Sequence, residues 1–384
     1  MKKIVFVTIL TLFFIQCNWF ESSTKSKKKD TEAVTFLALY LPGGNLSMGN
    51  DKLIALIEVK NGKSEFSPLA DLYPYNDELV KYVDINNDFL VMGLHRDFNE
   101  DKTTRGVWLD IDSGNQTDLP IFRLDSESEY PYFQSNTARI SDNGYILYLS
   151  ATNNRYYGDT YRPYLIRYNP ADGTHRVAPS PNSFIVNQPE KGNDTEAGQF
   201  GTHTAISPDG RYAYGNIDAF GVSGNIHWDY EILFQYDFEN DQYKRLGEEG
   251  DADVNFLGMT RDGRYLVYTN GYQKKLYNLQ TEEVKEFSIY ATNFNPLQSN
   301  SNGFCRTTSI GIYYQDLVDD QEIQVIHSNK TSNAHFSEDG STIYFTMGGS
   351  DVNYICKSLD LQENTDWDTL ATVSKEFKDF LLVR

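Results

Sequence analysis

An Asp-Gly turn recurs four times along the chain, each time followed by an alternating aromatic strand, and this predicts an all-β fold of repeated four-stranded antiparallel sheets. Two further observations point the same way. Most copies are followed by a second, looser hairpin, and no strong helical periodicity interrupts the array, the extreme C-terminus aside.

The four copies are Ile140-Ser-Asp-Asn-Gly-Tyr-Ile-Leu-Tyr148, Ile206-Ser-Pro-Asp-Gly-Arg-Tyr-Ala-Tyr214, Met259-Thr-Arg-Asp-Gly-Arg-Tyr-Leu-Val-Tyr268 and Phe336-Ser-Glu-Asp-Gly-Ser-Thr-Ile-Tyr-Phe345. Glycine accepts positive φ and Asp bonds its own neighbouring backbone, so the dipeptide turns the chain tightly. The residues that follow alternate faces, as a strand stacked between two other sheets requires. The second hairpins run from Leu165–Tyr168 to His175–Val177, from Leu233–Tyr236 to Tyr243–Leu246, and from Leu276–Leu279 to Val284–Phe287. Four strands joined in this way form one sheet.

The turn glycines stand at 144, 210, 263 and 340, at separations of 66, 53 and 77. The last interval has room for a degenerate unit, Ser301–Ser328, with strands at Ile312–Gln315 and Ile323–Ile326. Upstream, Val83–Met92 keeps the rhythm without the glycine and leads through Val107–Asp110 into an Asp112-Ser-Gly114 turn, and Phe36–Ala70 supplies one more weakly patterned unit. Seven units result, with six or eight also compatible with the spacing. Ser207-Pro208-Asp209-Gly210 and its copies resemble the Asp-Gly repeats of the TolB and WD40-like group, although the Trp-Asp ending of WD40 blades is absent. The resemblance implies a β-propeller, a fold that hosts scaffolds, receptors and several enzyme chemistries. Because a propeller closes its ring to protect sheet edges, the weakly patterned first and last units are expected to pair with each other.

Residues 1–16 read as a signal peptide: Lys2 and Lys3 precede the apolar run Ile4–Ile15, which is short for a membrane span. The run ends at Cys17, and the segment resembles a bacterial lipoprotein signal, with Gln16 standing where that group has Gly, Ala or Ser. The resemblance implies lipidation of Cys17 and attachment to the bacterial cell envelope through that lipid alone. Asn18 lacks the Asp that retains some such proteins at the inner membrane, so the outer membrane is the expected site. Residues 17–32 then form a polar tether containing Lys25, Lys27, Lys28 and Lys29, and 33–384 form a single propeller domain.

Residues 1–29 hold six of the 34 basic side chains and one of the 54 acidic ones, leaving 28 against 53 and a formal charge of −25. A domain this acidic repels nucleic acid. Cys305 and Cys356, 51 residues apart, show neither a disulfide framework nor metal-ligand spacing; pairing and two free buried thiols both stay open. No cofactor or metal is expected.

Catalytic signatures are sparse. Gly221-Val-Ser-Gly224 has the wrong spacing for a nucleophile elbow. Gly44 and Gly49 have phosphate-loop spacing but are followed by Asn50-Asp51 rather than Lys-Ser/Thr, and Asp110-x-Asp112-x-Gly114 lacks the later acidic calcium ligand. Recognition residues are better represented. Three long connections, His95–Arg105, Asn153–Arg162 and Asp218–Asp229, are expected on one face, which the Val186–Phe200 connection also reaches. Tyr156, Tyr157, Phe220 and Trp228 are the candidate contacts, since rigid aromatics bind with little entropy loss. His203 is expected to begin an innermost strand at the channel mouth, where Thr137 and Asn333 stand in other copies, with Asn136 and Asn255 near it. The expected function is recognition of a protein, peptide or glycan through this face, without catalysis. The alternative is an envelope hydrolase or lyase with its site at the channel mouth.

Overall fold

A computed structural model describes residues 34–39, 53–59, 64–68, 78–86, 89–96, 103–110, 115–121, 130–133, 138–153, 162–181, 195–223, 226–248, 253–286, 303–317, 321–336, 342–350, 352–358, 367–374 and 377–383. They form strands and turns only. The strands fall into seven sheets, six of them in chain order. Sheet 1 comprises Glu78–Ile85, Phe89–Arg96, Thr103–Asp110 and Gln116–Asp118. Sheet 2 comprises Tyr130–Phe133 with Arg139–Ile140, then Ile146–Asn153, Arg162–Tyr168 and His175–Val177. Sheet 3 comprises Thr195–Ile206, Tyr212–Ser223, Ile226–Asp237 and Gln242–Arg245, and sheet 4 comprises Val254–Met259, Tyr265–Asn270, Gln273–Asn278 and Val284–Glu286. Sheet 5 has three strands, Gly303–Thr308, Gly311–Asp316 and Glu322–His327. Sheet 6 has Thr331–Phe336, Ile343–Gly348, Val352–Ser358 and Asp368–Ser374. All pairings within these six sheets are antiparallel.

The seventh sheet joins the two ends of the chain. Val34–Leu39 pairs with Leu53–Val59 and Ser64–Pro68, and Phe377–Val383 adds to Leu53–Val59 from the C-terminus. First and last units therefore meet, and the C-terminus is strand rather than the helix the sequence left room for. This sheet departs from the four-stranded antiparallel expectation, because two of its pairings are parallel. A strand arriving from the far end of the chain is free of the hairpin connection that enforces antiparallel order.

Packing follows the period-2 alternation. Ile146 and Tyr148 join Val91 and Leu119 between sheets 1 and 2, while Leu147 and Leu149 join Phe200 and Phe234 between sheets 2 and 3. Tyr214 and Leu233 meet Phe256 and Tyr268 between sheets 3 and 4. Val267 and Leu276 meet Phe304 between sheets 4 and 5, and Cys305 and Tyr314 meet Phe336 and Phe345 between sheets 5 and 6. Sheets 2 to 5 are thus each buried on both faces against their neighbours in sequence. Consecutive sheets stacked face to face, with the chain ends closing the array in one sheet, make a β-propeller.

The Asp-Gly turns show why the repeat needs its residues. Tyr212 N–H donates to Ser207 Oγ at 2.8 Å, Arg211 N–H to Asp209 Oδ1 at 3.0 Å, and Gly210 takes φ +73°. Thr260, Asp262 and Gly263 repeat the arrangement, with Tyr265 N–H on Thr260 Oγ1 at 3.0 Å. In sheet 1, which lacks the glycine, Asn86 Oδ1 accepts from Phe89 N–H and Asn86 Nδ2 donates to Ser141 O. The fourth turn, 337–341, lies outside the described residues.

Candidate functional site

Because the described Asp-Gly turns join the first and second strands of sheets 2, 3 and 4, connections between second and third strands of those sheets emerge on the opposite face. On that face sheet 3 stands apart. Its three long strands have twelve residues each, against six to eight for the corresponding strands of sheets 1, 4, 5 and 6. The Asp218–Asp229 connection, expected as a loop, is a continuous antiparallel ladder ending at Ser223↔Ile226. Six of the fifteen residues of the Val186–Phe200 connection, Thr195–Phe200, are likewise strand, laid against Ile217–Gly221. The signal for this was Gly224-Asn225, a two-residue hairpin connection between two alternating segments.

The ladder separates two of the candidate residues. Phe220 stands opposite Asp229 and Trp228 opposite Gly221, on successive rungs and so on opposite sides of the sheet. Register puts Trp228, Tyr230 and Ala219 on the side of Ile217 and Ile232, which packs toward sheet 2, and Phe220 on the side of Asp218 and Glu231. Tyr156, Tyr157, Asn136, Thr137 and Cys17 lie outside the described residues.

His203 does not begin its strand. It is the ninth residue of Thr195–Ile206, inside the irregularity between Phe200 and Thr204 where the strand loses register with its neighbour. Gly201 permits this bend: a Cβ there would lie 2.2 Å from Asn216 Oδ1, and Asn216 Nδ2 in turn donates to Asp218 Oδ1 at 2.6 Å. The His203 side chain is exposed, yet protein walls part of the ring. Desolvation on that side, with the Arg139 guanidinium, holds its pKa below the ordinary 6.5. Arg139 lies on the short inner strand of sheet 2, 9 % exposed, and donates to Ala138 O. A neutral imidazole can accept a hydrogen bond, while desolvation and the nearby Arg139 cation oppose its protonation. Asn255 is exposed, opposite Thr269 in sheet 4. Among the described residues no group of three His, Cys, Asp or Glu side chains is placed to hold a metal, and no helix is long and apolar enough to cross a membrane.

One residue escaped the sequence reading. Tyr272, at 105 % relative exposure, tips the Gly271-Tyr272 turn of sheet 4, on the same face as the sheet 3 hairpin. Gly271 takes φ +57° at the first position of the two-residue loop, and its N–H donates to Asp253 O at 2.9 Å. Asp253 also forms a parallel bridge with Glu231, so this turn is tied to the flank of the sheet 3 hairpin. The Asn270-Gly271 dipeptide was the available signal.

No family model matches the chain, and no curated protein matches it. Solved structures similar to it include oligogalacturonate lyase in complex with manganese, at 12% identity and TM-score 0.46 over 90% of this chain and 86% of that one. TolB from Acinetobacter baumannii is similar at 13% identity and TM-score 0.32, over 90% and 96%. An acylaminoacyl peptidase is similar at 9% identity and TM-score 0.45, over 77% of this chain but 46% of its own, so the chain spans less than half of that enzyme. Likeness at this level carries no argument about activity; the propeller assignment stands on the sheet order and the packing.

Proposed function

We propose that this chain is a seven-bladed β-propeller binding protein, held at the bacterial outer membrane by a lipid on Cys17. It recognises a protein, peptide or glycan through the face opposite the Asp-Gly turns. The observation that carries the reading is the sheet 3 hairpin. Its strands run six residues beyond the six-residue strands of neighbouring sheet 4, about 20 Å of extended chain. Such an extension adds little to a core that the lower half of the sheet already fills, whereas projecting ordered strands with aromatic residues provide contact area at low entropy cost. Tyr272, wholly exposed beside it, extends the same surface.

Alanine variants at Trp228 and Tyr272 test this. Both are expected to melt within about 0.5 kcal/mol of the parent, as surface changes do, and to lose the partner captured from an envelope fraction by cross-linking. A loss of roughly 3–5 kcal/mol, the cost of truncating a buried aromatic, would assign that residue to capping its own blade. Undiminished capture by the double variant would reject the surface.

A further inference from the structure

Tyr272 is the most exposed large apolar side chain among the described residues, at 105 % against 58 % or less for the others, and the fold does not require it. Its turn needs Gly271, at φ +57°, in the first position. Tyr272 is not one of the positive-φ residues, so any small polar side chain would serve the turn in its place. Polar groups stand around the base of the ring. Asp253 Oδ2 lies 3.5 Å from the position a Gly271 Cβ would take. Gln273 stands opposite Asn270 on the last rung of the hairpin, and Asn255 stands opposite Thr269 on the rung below. Asp253, Asn255 and Gln273 are all exposed.

We propose that Tyr272 is a stacking platform for a neutral glycan, whose hydroxyls are held by Asp253, Gln273 and Asn255. This rests on the recognition face described above and names its ligand. A pyranose ring presents an apolar face of weakly positive C–H groups, rimmed by hydroxyls that both donate and accept. Its complement is a flat aromatic ring, negative on its face, beside a carboxylate that accepts and amides that do both. A peptide anchored by an apolar side chain requires something different, a well-packed pocket from which water is excluded. The Tyr272 turn offers it Gly271, Gln273, Asp253 and Asn255 instead. Neutrality of the glycan follows from charge. Asp253 beside the ring, in a chain with 54 acidic against 34 basic side chains, repels uronates and sulfated sugars.

The test is affinity electrophoresis of the full chain in non-ionic detergent, through gels containing a soluble β-glucan, an α-glucan, a xylan, a galactomannan or, as the anionic comparison, alginate. Retardation by at least one neutral polysaccharide is expected, and none by alginate. Tyr272→Ala and Tyr272→Leu are each expected to weaken binding about tenfold, the loss of one stacking contact, while Tyr272→Trp preserves it. Leucine keeps apolar area without a flat ring, so it separates a sugar from an apolar peptide anchor. Asp253→Asn is expected to weaken binding by a smaller factor, since the amide still offers one acceptor oxygen. Matching thermal melts for the variants establish that folding is intact. Retardation by none of the neutral gels, retardation by alginate, or equal retardation of the parent and Tyr272→Ala would overturn the proposal. A protein captured from the envelope fraction that Tyr272→Ala loses and Tyr272→Leu keeps, with no glycan bound, would leave the recognition face standing and remove its glycan.

Discussion

Gly210 and Tyr145 interlock two neighbouring blades at their Asp-Gly turns: a Cβ on Gly210 would lie 2.3 Å from Tyr145 Cδ2 and 3.1 Å from Ser141 Oγ. The contact recurs at the two adjoining junctions, with Gly263 against Pro208 and Gly144 against Phe89. Arg167 locks the same junction, its guanidinium over the Tyr145 ring at 4.7 Å while Nη1 donates to Gly210 O. Glycine thus serves twice at this turn, once for φ and once for the approach of the next blade.

Gly210→Ala is therefore expected to destabilise the chain by about 2 kcal/mol or more, since a strained left-handed φ and a forced overlap add. Gly173, also at φ +73° but with nothing within 4 Å of its Cβ position, isolates the φ component. Denaturant unfolding of the two alanine variants is expected to show the larger loss at Gly210.

Asp237 organises the outer hairpin of sheet 3. Its carboxylate accepts from Arg211 Nη2 at 2.6 Å, Glu239 N–H at 2.8 Å and Asn240 Nδ2 at 2.9 Å. The Arg211 bond first, and these backbone and amide donors after it, hold its pKa far below the usual carboxylate range. A depressed carboxylate pKa contributes stability that is present above the ordinary value of 3.8 and is lost as pH falls through the native one. Asp237→Asn is expected to lower the melting temperature at neutral pH. The gap between parent and variant is expected to close in acid, which melts over a pH series would read.

Cys305 and Cys356 are free, buried thiols in the cluster between sheets 5 and 6. Burial pushes Cys356 from 9.0 to about 11 and raises Cys305 well above its ordinary value. A raised thiol pKa contributes stability that is complete below 9.0 and disappears as pH rises toward 11. The stability margin of the parent over Cys356→Ala is expected to stay constant below pH 9 and to shrink from 9 to 11. In parallel, neither thiol is expected to react with a disulfide reagent until the chain unfolds.

Cys17→Ala is expected to abolish labelling by a fatty-acid analogue and to release the protein from membranes. Labelling that persists, or a mature N-terminus at another residue, would refute the anchor.

The all-β repeat was legible because its signals are local. Ser207-Pro-Asp-Gly210 bonds within itself, and Ile146–Leu149 feed alternate interfaces simply because a strand has period two. The candidate site was legible only in part. Phe220 and Trp228 are close in sequence and similar in chemistry, yet their separation onto two sides of a sheet depends on the register Gly221↔Trp228, which no single residue encodes. His203 looked like a strand start because the bend around Gly201 disguises how far the strand continues toward Thr195.

By itself, then, the sequence determined the repeat, its turn chemistry, the meeting of its two ends and the acidic character of the domain. All of these follow from neighbours in the chain or from composition. Tertiary structure decided the parallel pairing of Leu53–Val59 with Phe377–Val383 and the projection of the sheet 3 hairpin. Each is a matter of which backbone groups find partners across long separations. Backbone donors and acceptors are the same in every residue, so their pairing is settled by how whole sheets pack and not by any local pattern.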